Sequence, residues 1–335
     1  MNASLSSSHL CLRPHPRQIL AFIRTSALFI LAFGLGPPAA PAGSVNPIIA
    51  TIDVGASPDS IVADPVRDLV YVAANNQIYA IDTKTNAPVF TLYDGAQING
   101  LAVSPDGQLL FVTTFGNNTM DVFSLDLRQY LYSYTTGVNP IIPGVSPDGS
   151  MVYVPNRAAG TVTAFEGELT PIVIATGGNP LQAAFTPDGK KVYVTLEFGG
   201  ACVIDTATHS PTNIPLGEGG NGLAITRNGS TVYVTSYTQT VVYAIATSNN
   251  SVTPITVSIT GLVVLNFPAL DASGKFLYVP GTGSTNEVIT VETKTNAIFN
   301  QTTAMGLLPL QVAIKGKFGY SANFESNTVS VFKVK

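Results

Sequence analysis

The chain has 335 residues, with 16 Lys and Arg against 20 Asp and Glu and only 11% charged residues in all. That acidic balance argues against a protein that grips nucleic acid by neutralising phosphates. Two cysteines and 3 histidines argue against a disulfide scaffold and against a zinc site built on those ligands.

Residues 1–42 carry Arg13, Arg17 and Arg24 with no acidic residue, then the apolar run Ala27 to Leu35, then small residues from Pro37 to Ala42. This reads as a secretory signal peptide, cleaved after Ala40-Pro41-Ala42 so that the mature chain begins near Gly43. The apolar run falls short of the about 20 residues a membrane-spanning helix needs. Cys11 lies ahead of the run, which disfavours a lipid-anchored start. Past the leader, 13 basic and 20 acidic residues remain, a net charge of −7, and Cys202 is the one cysteine left, so no intrachain disulfide can form. Stability has to come from the core.

From residue 43 onward the sequence is rich in Val, Thr, Ile, Tyr, Gly and Pro and shows almost no helical periodicity, which predicts one strand-rich domain over 43–335. A unit recurs along it. Aligned on the middle residue of a Val-Tyr-Val strand, the copies fall at Tyr71, Phe111, Tyr153, Tyr193, Tyr233, Tyr278 and Tyr320, spaced by 40 to 45 residues. Seven units of this period predict an all-β, seven-bladed propeller of four-stranded antiparallel blades.

Each unit opens with a short innermost strand. Val62, Ala102, Gly144, Ala184, Ala224, Ala269 and Ala313 put small side chains where the strands converge on an axis. One position on, Ala63, Val103, Val145, Phe185, Ile225, Leu270 and Ile314 are expected to pack against the neighbouring blade. A turn follows: Ser104 to Gly107, Ser146 to Gly149 and Thr186 to Gly189 read Ser/Thr-Pro-Asp-Gly, with proline at the first corner and glycine in a left-handed conformation at the end. The Val-Tyr-Val strand, a loop, a third strand, a second turn and an outer strand complete the unit. The last unit stops after its third strand. At the other end, Ile48 to Val54 resembles an outer strand, so the start of the chain should pair with Asn327 to Phe332 and close the ring, removing two open edges.

Repeats that read Gly-x-x-Pro, Ser-Pro-Asp-Gly-x-x-Val-Tyr-Val and Asn-Thr-Val-x-Val resemble the YVTN family of β-propeller repeats over essentially the whole mature chain. Tyr320-Ser321-Ala322-Asn323 with Asn327 to Val331 is a close copy. The resemblance implies a seven-bladed fold and a binding scaffold. Similar propellers include surface-layer and envelope proteins, cytochrome d1-like and amine-dehydrogenase-like chains, and lactonases.

The chemistry-bearing residues are few. His209, the one histidine past the leader, falls in a turn on the rim opposite the mouth of the ring and reads as a surface histidine. Asp106, Asp148 and Asp188 have a structural task in their turns, and Asp82, Asp126 and Asp205 end third strands. A divalent metal at the mouth would draw on Glu197, Glu218 and nearby asparagines.

The favoured site is that mouth. The loops joining strands two and three place Asn75, Phe115, Arg157, Glu197 with Phe198, Tyr237, Thr282 and Phe324 on one side of the disc. The loops leading into the innermost strands add Asn99, Asn139, Asn179, Asn221 and Asn266. Rings and amides round a concave mouth suit binding. The alternative is that the aromatics roof the blades and the asparagines shape turns. A second feature is Tyr130, Tyr132 and Tyr134, at alternate positions of an outer strand and so expected on one sheet face, either packed on the next blade or forming a lateral ladder for a protein or polysaccharide.

Taken together the sequence predicts an exported, monomeric, non-enzymatic binding propeller of the cell envelope, in periplasm, surface or medium. It would need no cofactor, and a protein, polysaccharide or small molecule would be held at the mouth. A lactonase-like hydrolase with a metal at the channel mouth and a periplasmic redox-partner subunit are the alternatives.

Overall fold

The computed structural model describes residues 47–93, 95–167, 170–302 and 305–335. The expected signal peptide lies outside the described residues. All regular structure in them is β, and among them no helix is long and apolar enough to cross a membrane.

Seven antiparallel sheets follow one another round the ring, each four strands deep, the innermost strand of the sixth being split into Leu262–Leu265 and Ala269–Leu270. The physical cause is the recurring turn. Gly149 sits at φ +76° and returns its N–H to the carbonyl of Ser146 at 2.9 Å, which turns the innermost strand Gly144–Val145 back along Met151–Asn156. The Asp148 carboxylate accepts the Ser146 hydroxyl at 2.6 Å and the Ser150 N–H at 3.1 Å, and these bonds lower its pKa to about 2. Asp106 and Asp188 do the same in their turns, so the three repeated carboxylates are structural, as expected.

Packing between blades follows the pattern read from the sequence. The residues one position past the converging small side chains, from Ala63 to Ile314, each join a different apolar cluster, and each cluster fills one of the seven seams between adjacent blades. The small residues are required by the approach of the next blade: a Cβ on Gly144 would stand 2.7 Å from the carbonyl oxygen of Ala183. Ring closure is also as expected. Ile48–Asp53 pairs with Thr328–Lys333, and its Ile52, with Val54 just past its end, is buried in the seam between the last blade and the first.

The aligned tyrosines carry a second device. Their rings are buried, but each hydroxyl reaches a polar partner, chiefly on the following blade. Tyr193 donates to Asn250 at 2.9 Å, Tyr233 to Asn296 at 3.1 Å and Tyr320 to Asn86 at 3.2 Å. Those asparagines end the turn between third and outer strands, at φ between 53° and 57°, which aims the side chain back across the seam. In the fourth blade the equivalent residue is His209, at φ 54°, and its Nδ1 lies 2.9 Å from the Tyr153 hydroxyl. This corrects the reading of a plain surface histidine. His209 is a half-buried latch between blades, with Nε2 3.6 Å from Glu166.

The tyrosine ladder is corrected as well. A bulge in the outer strand Gln129–Thr135 sets Tyr132 opposite Val122 but Tyr130 opposite Phe123, so Leu131 is the extra residue. An inserted residue reverses the alternation of faces. Tyr132 and Tyr134 share one face, where Tyr134 packs on Phe165 of the next blade, whereas Tyr130 turns to the other face and meets Phe123 edge-on.

Candidate functional site

The meander puts the loops leading into innermost strands and the loops between second and third strands on one face of the ring. Four residues past the aligned tyrosine, Phe115, Arg157, Glu197, Tyr237 and Phe324 all occupy the same ring position. In each, the backbone N–H is bonded to a carbonyl in the loop leading into the same blade: Gln97, Asn139, Asn179, Gly219 and Leu308, at 2.8 to 3.0 Å. The repeat thus arranges the chosen side chains round one mouth.

Across blades three to five they form a chain. The Arg157 guanidinium grips Glu197 through Nε at 2.8 Å and Nη2 at 2.7 Å, a two-point pair across the seam. Asn179 adds a third donor to Glu197 at 3.2 Å. The bonds to Glu197 raise the Arg157 pKa, and burial, aided by the Glu197 charge, raises that of Tyr237. Phe198, next along, is 63% exposed at the loop tip, where Gly199 and Gly200 take φ near 100°. Phe115 and Phe324 are half-buried.

The five asparagines separate into two kinds. Asn139 and Asn179 stand in the left-handed region, at φ 58° and 53°, and shape the loops. Asn99 and Asn221 lie within innermost strands, Asn266 lies between the short strands Leu262–Leu265 and Ala269–Leu270, and all three tie one blade to the next: Asn99 donates to the carbonyl of Pro140 at 2.8 Å, Asn221 to that of Leu265 at 2.9 Å, and Asn266 to that of Pro309 at 2.9 Å. Asn99 and Asn221 are set by bulges in their strands, where extra residues oppose the second strand and point away from the ladder.

Sequence reasoning passed over the residue at the same register in blade one. Asp59 is the bulged residue between Pro58 and Ser60, equivalent to Asn99. The residue is half-buried, its Oδ1 is out of reach of solvent with no donor within bonding distance, and burial pushes its pKa well above the usual carboxylate range. Counting back three residues from Val62, as from Ala102, Ala224 and Ala269, would have found it.

The carboxylates considered for a metal are each committed. Glu197 is held by Arg157 and Asn179, and Glu218 accepts from Thr238 at 2.8 Å and Gln239 at 3.0 Å. Among the described residues no three or more His, Cys, Asp or Glu side chains converge on a point that could hold a metal. Cys202 is buried, which pushes its thiol pKa up to about 11.

Among known proteins, no family model and no curated sequence matches the chain. Solved structures do match. Hydrazine synthase of Kuenenia stuttgartiensis superposes with a TM-score of 0.74 at 18% identity, over 89% of this chain and 99% of that one. The β-propeller domain of Cps50 (Swd1) from Myceliophteria thermophila also gives 0.74, at 12% identity, over 87% of this chain and all of that one. At such identities the likeness shows the propeller fold.

Proposed function

We propose that this seven-bladed propeller is an exported, non-enzymatic binding protein of the cell envelope, and that its partner sits on the mouth face. One observation carries the reading. The polar groups of the mouth, Arg157, Glu197, Asn179, Asn99, Asn221 and Asn266, are bonded to one another or to the backbone, while Phe198 stands exposed above them. A preorganised polar floor beneath an exposed ring loses little freedom on binding and suits a contact anchor. The leader-like residues 1–42 support export, and the resemblance of the repeats to the YVTN family supports an envelope scaffold.

A photo-crosslinking residue at position 198 in the native host, beside one at position 149 on the opposite face, tests the reading. Adducts are expected from 198 and lost when an excess of unlabelled chain competes. Adducts from 149 alone would move the site to the other face. Assays of lactone hydrolysis with metal analysis of the purified chain address the hydrolase alternative, where turnover that depends on a bound metal would displace the binding reading.

A further inference from the structure

The charges of this chain are sorted by face. Of the thirteen Lys and Arg residues past position 42, twelve lie in the turns between first and second or third and outer strands, or at strand ends beside them, on the face away from the mouth. Eleven described acidic residues share that face and offset them, as in the pairs Lys84 with Asp68 and Arg67 with Asp64. The mouth face holds the thirteenth cation, Arg157, and both arms of its guanidinium are spent on Glu197. Asp121 and Glu287 are buried and Asp59 is half-buried, so Asp53, Glu218 and Glu325 remain at that surface with no cation opposite among the described residues, and the acidity is concentrated on the mouth.

The same rim is apolar. Val138, Val263 and Leu307 occupy one register, six residues before the converging small side chain of blades three, six and seven, and are 54%, 49% and 53% exposed. Glu218 holds that register in blade five, and Glu325 in blade seven holds the loop-tip position that Phe198 holds in blade four. Exposed aliphatic side chains and carboxylates therefore share one rim.

We propose that the mouth face docks a protein that presents lysine or arginine side chains around an apolar protrusion. The inference rests on the mouth being the binding face. A polyanion, whether nucleic acid, acidic polysaccharide or anionic lipid surface, would meet carboxylates with no free cation to receive it. A basic protein gains both long-range steering and apolar burial.

The probe is a labelled lysine–leucine amphipathic peptide, with glutamate–leucine and serine–leucine peptides of the same length as comparisons. The lysine peptide is expected to bind the full chain with an affinity that falls as salt rises, and the glutamate peptide not to bind. Asp53→Asn, Glu218→Gln and Glu325→Gln together should weaken binding about tenfold at low salt and flatten its salt dependence. Phe198→Ala should weaken it at every salt concentration. Glu292→Gln, on the opposite face, should change nothing. Glu325→Gln alone, whose carboxylate makes no side-chain bond among those described, gives the same sign if the triple variant does not fold.

Equal binding of the three peptides, still sensitive to Phe198→Ala, would overturn the charge inference and leave the mouth as binding face. Binding of the lysine peptide that neither the mouth variants nor Phe198→Ala weaken would overturn both.

Discussion

At the scale of single residues, Asp59 is the position where environment overrides side-chain type. Asparagine at this register donates to a carbonyl of the next blade, and a carboxylic acid can imitate that only while protonated. Because burial raises the folded-state pKa, the folded chain holds a proton that the unfolded chain releases near pH 4. Stability should therefore decline as pH rises from about 4 toward the folded pKa, by about tenfold in the folded-to-unfolded ratio per pH unit, and then level off. Among the described residues no charged group contributes to the shift, which has burial and backbone hydrogen bonds as its causes. The innermost strand of blade two carries none, and Tyr71 and Lys315 spend their head groups on Asp64 at the far end of the strand. Denaturant midpoints of Asp59→Asn and the parent across pH 4.5 to 8 check this. The variant should gain on the parent as pH rises, and parallel curves would show that Asp59 ionises freely. A glycine pair gives a second comparison. Alanine at Gly149 meets only Pro105 at 3.6 Å, so its cost is the left-handed backbone alone, about 1 kcal/mol. Alanine at Gly200 keeps that strain and adds a Cβ 2.7 Å from the backbone nitrogen of Leu216, so its denaturant midpoint should fall further.

At the scale of elements, the seams between blades are held by apolar clusters and trimmed by polar latches. Tyr193→Phe removes one neutral bond to Asn250 and should cost about 1 kcal/mol, less if water reaches the freed amide. Arg157→Ala is a different case, since it strands the buried Glu197 beside blade three. With Arg157 itself 24% exposed, the loss should be about 2–3 kcal/mol, below the 3–5 kcal/mol of a fully dry pair. The Arg157→Ala, Glu197→Ala double variant should recover part of it. Chemical denaturation of the two singles and the double, read as a cycle, gives the coupling, and strict additivity would show the pair to be solvent-screened.

At the scale of the whole molecule, the ring is closed by non-covalent pairing of the strand Ile48–Asp53 with the third strand of the last blade. Deleting residues 43–54 exposes the edge of Thr328–Lys333, takes Ile52 and Val54 out of the closing seam and uncovers Ile61 and Val331 there. The expected outcome is a lower melting temperature or concentration-dependent aggregation, measured by scanning calorimetry and light scattering. An unchanged melt at all concentrations would mean that the seventh blade holds with three strands. The closed ring is also what sorts the charges. An even number of strands per blade sends every turn of one type to the same face, so a sequence with its lysines in those turns yields a disc with one acidic, apolar side.

The sequence by itself determined the number of blades, the turn that starts each one, the residues at the seams and the strand that closes the ring. Those features are local and repeated: a proline–aspartate–glycine turn and a period-two strand follow from the dihedral preferences and hydrophobicity of a few neighbouring residues, and seven copies make the register plain. It also brought Phe115, Arg157, Glu197, Tyr237 and Phe324 to one rim, because equal spacing from the aligned tyrosine means equal position in the ring. What only the tertiary structure decided depends on a neighbouring blade or on an extra residue in a strand. His209 became a latch because a tyrosine 56 residues earlier in the chain lies across the seam. Tyr130 left its two companions because a bulge at Leu131 reversed the faces, which no alternation count can foresee. Asp59 acquired its raised pKa from burial of its carboxyl in the folded ring, and Arg157 lost its availability to ligands because Glu197 of the next blade reached it first.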